Sequence, residues 1–338
     1  MIKQPIFFER NRVGRVYTGG KLFANFFGDD PVDSFLPEEW IASNVTALNK
    51  DSKGPKDGVS RIKDSDIYFD DLLKEYPTEL LGSKGKLRIL VKGLDSAIRL
   101  PAQAHPDKAF SRKYFNSEYG KTECWTILGT RPNAKIYFGF KDGVTKEIFE
   151  QAIEQSETDM DAMENLMLSI TPQVGDVYLV PAKTVHAIGA GCLILEVQEP
   201  TDFTIQPERF CGKYKMNDQE MYLGLTKEEA VGCFNFTKAP DSKMTPHVME
   251  KTEGMVKESL VSEANTDCFI VNRIKLSGGS YTPAVTDSYG IYIVTNGAGA
   301  IHGDGYCKDV KKGDYFFLPA SQMGNYTING TLEVIECY

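Results

Sequence analysis

The stretch GDVYLVPAKTVHAIGAG, residues 175–191, decides how this chain is read, because the chain repeats it in altered form as GDYFFLPASQMGNYTING at 313–330. Both copies begin Gly-Asp, alternate apolar residues, reach Pro-Ala and close on glycine. Aromatic and β-branched residues bounded by turn formers read as strands. A strand–turn–strand unit present twice implies two related β units and, over so short a stretch, an expected duplication. At one shared offset the copies part: the first carries His186, the second Gly324.

Working outward, LRILVKGL (87–94), AKIYFGF (134–140) and CLILEVQ (192–198) accompany the first copy. FIVNRIKL (269–276), GIYIVTNGAGAI (290–301) and TLEVIEC (331–337) accompany the second. The Asn296-Gly297 pair reads as a hairpin turn. Helical spacing runs through TKEIFEQAIEQSETDMDAMENLMLSI (145–170), capped by Thr145. SDIYFDDLLKEYPTELLG and DKAFSRKYFNSEYG read as shorter helices. The polar stretch FTKAPDSKMTPHVMEKTEG, with two prolines, sets an expected domain boundary near Pro240. The expected architecture is mainly β: a first barrel or sandwich in residues 1–240, with helices inserted around it, and a second in 241–338.

Bulk properties narrow the function classes. A chain of 338 residues is long enough for two domains. Its formal net charge of −9 argues against broad electrostatic attraction to nucleic acid or anionic membranes, while leaving room for a small basic pocket. No run approaches the ~18 apolar residues of a membrane span. The opening MIKQPIFFERNRVGRVYTGG lacks the apolar core of a signal peptide. Seven cysteines, an odd number with no CxxC pair, read as reduced thiols of a cytoplasmic protein.

The chain has four histidines. His247 sits in the polar linker and His302 in a glycine-rich hairpin, and both read as exposed and without function. His105 lies in LPAQAHPDKAF, where Gln103 and His105 are two apart and share one face of a strand. Glu123 opens an apolar run in YGKTECWTIL, and His186 follows the Gly-Asp strand. Singly, each has a plain reading: a histidine beside a turn, a strand-edge solubiliser, a polar barrel residue. Together, two imidazoles, a carboxylate and an amide oxygen make a credible site for Zn²⁺ or a similar divalent ion.

These motifs resemble the type I phosphomannose isomerases of the cupin superfamily. LVKGLDSAIRLPAQAHPDKAF is similar to the family's Gln-x-His-Pro-Asp strand, GKTECWTIL to its Gly-Lys-Thr-Glu-Cys-Trp motif, and GDVYLVPAKTVHAIGAGCLILEVQEPTDFTI to the segment with its last metal ligand. RVYTGGKLFANFFGDDPVDSFLPEEWIASN resembles the family's opening. The resemblance implies two cupin-like (jelly-roll) barrels and interconversion of mannose 6-phosphate and fructose 6-phosphate through a cis-enediol. It implies one Zn²⁺ per chain on Gln103, His105, Glu123 and His186. It places Lys121 in the substrate cleft, in a charge-stabilising or base role against a plain reading as a solvated turn lysine, and Trp40 and Ser43 among substrate-binding residues. The second barrel, having lost the ligand set, is expected to be structural.

Two positions depart from the family. Where it carries a catalytic arginine, in a Thr-Tyr-Arg-like triplet, this chain reads TIQ and offers Gln206; Arg209 is the candidate substitute. Pro101 stands where serine is common near the phosphate. The alternative readings are therefore an isomerase of another sugar phosphate, or a weakened or non-catalytic sugar-phosphate-binding cupin.

Overall fold

The computed structural model describes residues 2–49, 52, 54–239 and 241–338. CLILEVQ forms the strand Cys192–Gln198, every residue of it buried. It is mostly apolar because both faces of its sheet are covered, with Glu196 and Gln198 as its two polar positions. That seven-stranded sheet runs Lys243–Met244, Val177–Val180, Glu123–Thr130, Cys192–Gln198, Leu90–Ser96, Glu38–Ile41, Arg12–Val13, with all neighbours antiparallel. On its strands Leu90–Ser96 and Cys192–Gln198 even-numbered positions (Leu94, Ile194), and on Glu123–Thr130 odd-numbered ones (Trp125, Ile127), pack on Ile136, Phe138 and Ile188 of a three-stranded sheet. The opposite positions (Val91, Cys124, Leu193, Leu195, Val197) pack against Ile291, Ile293, Phe317 and Ile335 of an eight-stranded sheet. Period-two alternation thus separates an inner, site-bearing face from an outer face that binds the C-terminal sheet.

The mainly β reading holds, with local corrections. The helix read over 145–170 is Lys146–Gln155, with Thr145 capping Ile148 N–H as expected. Beyond it stand Ser, Thr and Asp, poor helix formers, and the Ser156 hydroxyl turns back to the carbonyl of Ile153 at 2.6 Å. The chain then makes a 3₁₀ turn, Glu164–Leu166, and the strand Met167–Ile170. The apolar spacing persists because Met163 and Met167 fill the same core as Phe149 and Ile153 without sharing a helix. Asn296-Gly297 does not turn a hairpin. The strand Gly290–Gly303 runs through it with a register shift between Val294 and Asn296, and Gly297 has φ 74°. A bulge needs the same positive φ as a hairpin turn, so the pair signals either. All seven cysteines are free thiols.

The boundary read at Pro240 falls outside the described residues. On either side of it, sheet membership crosses. Lys243–Met244 pairs with Val177–Tyr178 in the seven-stranded sheet, and Ile6–Phe7 pairs with Phe316–Phe317 in the eight-stranded one. Phe317 is fully buried between the sheets, with its ring 5.0 Å from Phe69 and 5.3 Å from Tyr289. Phe317→Ala is expected to lower stability by about 3–5 kcal/mol through the cavity it leaves. A chemical-denaturation midpoint equal to that of the parent chain would show that this ring does not wedge the sheets together.

Candidate metal centre and cavity

Three local devices bring the two histidines and the carboxylate together. Gln103 and Ala104 form isolated bridges to His186 and Ile205; Pro106 follows, and Asp107 caps the helix Lys108–Phe115 by accepting from Phe110 N–H at 2.7 Å. The carbonyl of Pro106 then accepts the N–H of Lys121 at 2.9 Å. A Cβ at Gly120 would lie 2.6 Å from that carbonyl, so glycine is required for the approach. The Glu199 carboxylate fastens the same turn through the N–H groups of Gly120 and Thr122. Finally, Gln103 and His186 exchange backbone hydrogen bonds of 3.0 and 2.9 Å, which sets their side chains on one face.

The result is one buried cluster, in which ligand atoms of His105, Glu123 and His186 all lie within 4.8 Å of one another. Nδ1 of His105 meets the carbonyl of Phe203 and Nδ1 of His186 that of Thr184, each at 2.9 Å. A carbonyl only accepts, so each Nδ1 carries the proton and each Nε2 presents its lone pair inward. Burial, reinforced for His105 by the Lys121 charge, pushes the pKa of His105 down to about 3; burial also lowers that of His186. Both rings are neutral near pH 7. Burial alone would raise the Glu123 carboxyl, but the Lys121 charge outweighs it and holds the group ionised. Trp125 Nε1 donates to Glu123 Oε1 at 2.9 Å and fixes its orientation. Two lone pairs 3.2 Å apart beside a carboxylate are an arrangement that a divalent cation satisfies, so the donor set fits a metal. Among the described residues it is the one such cluster of His, Cys, Asp and Glu.

Above the cluster lies a cavity of about 620 Å³ lined by Gln103, Lys121 and Gln206, and by Arg15, Glu38, Lys92, Glu196 and Asp202. Lys121 is not a solvated turn residue: it is 4% exposed and donates to His105 Nε2 at 2.7 Å and to Glu123 at 3.0 Å. The five charged residues named last were missed in the sequence. Their signal was a charge at inward parity within an apolar strand, Lys92 in LRILVKGL and Glu196 in CLILEVQ. Lys92 Nζ lies 3.4 Å from Glu196 and 3.8 Å from both Glu38 and Asp202. Arg15 spans Glu38 (3.0 and 3.1 Å), Asp202 (2.8 and 3.1 Å) and Asn49 (2.8 Å), using every N–H of its guanidinium. Burial, with the nearby Glu123 charge, pushes Glu196 up to about 6.

Three expected site residues lie elsewhere. Trp40 and Ser43 are fully buried and do not line the cavity. The Trp40 indole donates to Glu38 at 2.7 Å from behind, and Ser43 fastens its own loop through Ser60 and Val45. Arg209 does not replace the family arginine: Glu157 (2.5 Å) and Asp218 (3.0 Å) hold its guanidinium outside the cavity.

A profile described as "Mannose-6-phosphate isomerase, cupin domain" matches residues 262–338. A probable mannose-6-phosphate isomerase of Bacillus subtilis is 30% identical over 332 residues, covering 97% of this chain and 97% of that protein. The chain belongs to the mannose-6-phosphate isomerase family. A mannose-6-phosphate isomerase of Streptococcus mutans is 29% identical, covering 99% of this chain and 98% of its own. The crystal structure of the mannose 6-phosphate isomerase from Bacillus subtilis superposes with a TM-score of 0.80 at 26% identity, covering 99% of this chain and all of that one. Membership of the mannose-6-phosphate isomerase family makes the chain an isomerase, and its fold is a mainly β cupin fold. No described helix is long and apolar enough to cross a membrane.

Gln206, the position at which the sequence resemblance implies an arginine, lines the cavity and donates Nε2–H to the carbonyl of Glu220 at 3.1 Å. A neutral amide there lacks the fixed charge and donor fork of arginine. Gln206→Arg is expected to raise turnover about tenfold or more, one charged donor being worth up to about 10²–10³. Arg209→Ala is expected to leave turnover unchanged. Loss of activity in Arg209→Ala, with no gain in Gln206→Arg, would reverse both assignments.

Proposed function

We propose that this chain interconverts mannose 6-phosphate and fructose 6-phosphate through a cis-enediol, with one Zn²⁺ held by Gln103, His105, Glu123 and His186. The observation that carries the reading is the convergence of two neutral imidazoles and a carboxylate beneath a cavity that also holds Lys121, Lys92 and Glu196. Nitrogen and oxygen donors in this mixture suit zinc. Bound there, a divalent cation supplies Lewis-acid stabilisation of the negative charge that isomerisation develops on the sugar oxygens.

The residues of the chain do the rest. Glu196 is 3% exposed and lines the cavity, and its Oε1 has Lys92 at 3.4 Å but no hydrogen-bond donor. It takes the proton from C2 of the aldose; the C–H electron pair becomes the C1–C2 double bond as the C1=O π pair moves to O1, the O2 hydroxyl proton passes to O1, and the carboxyl returns its proton to C1 as C2=O forms. A carboxyl poised near 6 performs both transfers. The ammonium groups of Lys121 and Lys92 face the developing oxyanion in a site shielded from water. Arg15, saturated by carboxylates, holds Glu38 and Asp202 in place and does not contact the sugar. Residues 241–338 we read as a structural unit that covers the outer face of the site-bearing sheet.

The test is a coupled assay of zinc-replete protein on mannose 6-phosphate beside a panel of other aldose phosphates. Turnover highest on mannose 6-phosphate is expected. Preference for another aldose phosphate, or binding of sugar phosphate without conversion, would replace this assignment.

A further inference from the structure

Gln198 lies fully buried on the inward face of its strand, directly across from Glu123. Its amide is fixed unambiguously: Nε2–H donates to the carbonyls of Glu199 at 3.0 Å and Thr201 at 2.5 Å. Its Oε1 therefore points the other way, and no donor meets it. A buried amide oxygen left without a donor costs stability, typically about 1–3 kcal/mol. Two residues back, on the same face, Glu196 Oε1 also lacks a donor. Two unmatched acceptors thus stand side by side next to Glu123.

The complementary donor is close at hand. Lys121 precedes Glu123 by two residues and shares its face, which makes Gln198 its diagonal cross-strand neighbour, within reach of a long side chain. Lys121 now donates to His105 Nε2 and to Glu123 Oε2. A neutral imidazole has one in-plane lone pair at Nε2, and it serves either an ammonium or a metal.

We propose that Gln198 is a positioning residue for Lys121: its amide oxygen, with the carboxylate of Glu196, receives the ammonium when a divalent cation takes the lone pair of His105. This rests on the cation reading made above. Metal uptake and the placement of Lys121 against the substrate are then one event. The cation turns Lys121 from a hydrogen-bond partner of the ligands into a charge held between Gln198 and Glu196, at the cavity wall where the enediolate forms.

The test is a double-mutant cycle on the folded full chain, read as Zn²⁺ affinity by titration against a competing chelator. Gln198→Met, nearly isosteric, removes the acceptor; Lys121→Met removes the ammonium. In the presence of Lys121, Gln198→Met is expected to weaken Zn²⁺ binding about ten- to hundredfold, the usual reach of a residue one step behind the ligands. In the Lys121→Met background the same change is expected to have no effect. Equal weakening in both backgrounds, or none in either, overturns the proposal, since a merely structural amide acts regardless of Lys121. Should Gln198→Met not fold by circular dichroism, Glu196→Gln takes its place in the cycle with the same expectations. A parent chain that takes up no Zn²⁺ defeats the cation reading itself, and this inference with it. Ordinary Zn²⁺ uptake with an additive cycle defeats this inference alone.

Discussion

His186→Ala is expected to abolish activity, by at least about four powers of ten, because it removes one of two imidazoles from a site where each ligand has no neighbour to replace it. Metal content measured on protein purified without chelator should fall from about one Zn²⁺ per chain to near zero. Chain folding should survive, since His186 lies in a short strand whose backbone bonds to Gln103 do not depend on the ring. The control is Gly324, the matching position of the second copy, which has positive φ and no ligand around it. Full metal occupancy in His186→Ala would remove this residue from the ligand set. A second equivalent of metal bound in 241–338 would contradict the structural reading of that part.

Glu196→Gln is expected to lower turnover by about two to four powers of ten, the usual contribution of a positioned acid–base group. The pH dependence follows from the carboxyl being pushed up to about 6. Proton removal from the sugar needs the ionised form, so kcat/KM should be level above pH 6 and fall about tenfold per unit below it, whereas a base of ordinary carboxylate acidity would keep it level just below pH 6. The variant has no such limb. At saturating Zn²⁺ the metal content should still reach about one per chain, whatever the change in affinity, which separates this loss from that of His186→Ala. Undiminished turnover in Glu196→Gln would transfer proton carriage to another group, with Lys121 the next candidate by position.

What the sequence made legible follows a physical division. Local signals were readable: the strand Cys192–Gln198 because both its faces are buried, the Thr145 cap because capping is a contact between near neighbours, and the ligand motifs because each lies within a few residues. Signals with two structural outcomes misled. Asn296-Gly297 marks a positive φ and not the direction the chain takes afterwards. The apolar spacing through 145–170 marks a shared core and not a continuous helix. Contacts distant in sequence were invisible. Arg15 binds Asp202 across 187 positions, and nothing near either residue announces the other. Arg209 looked available by proximity to Gln206, yet Glu157 and Asp218 had already claimed it.

The pairing of Ile6–Phe7 with Phe316–Phe317 has a consequence for how the molecule is made. During synthesis Ile6–Phe7 leaves the ribosome about 310 residues ahead of its partner. At about 5–20 residues per second the interval is roughly 15–60 s, throughout which an apolar strand lacks its native neighbour. For that interval the nascent chain carries an open, sticky edge. Placement of Ile6–Phe7 waits for the synthesis of Phe316–Phe317, which makes this strand a natural point of contact for chaperones.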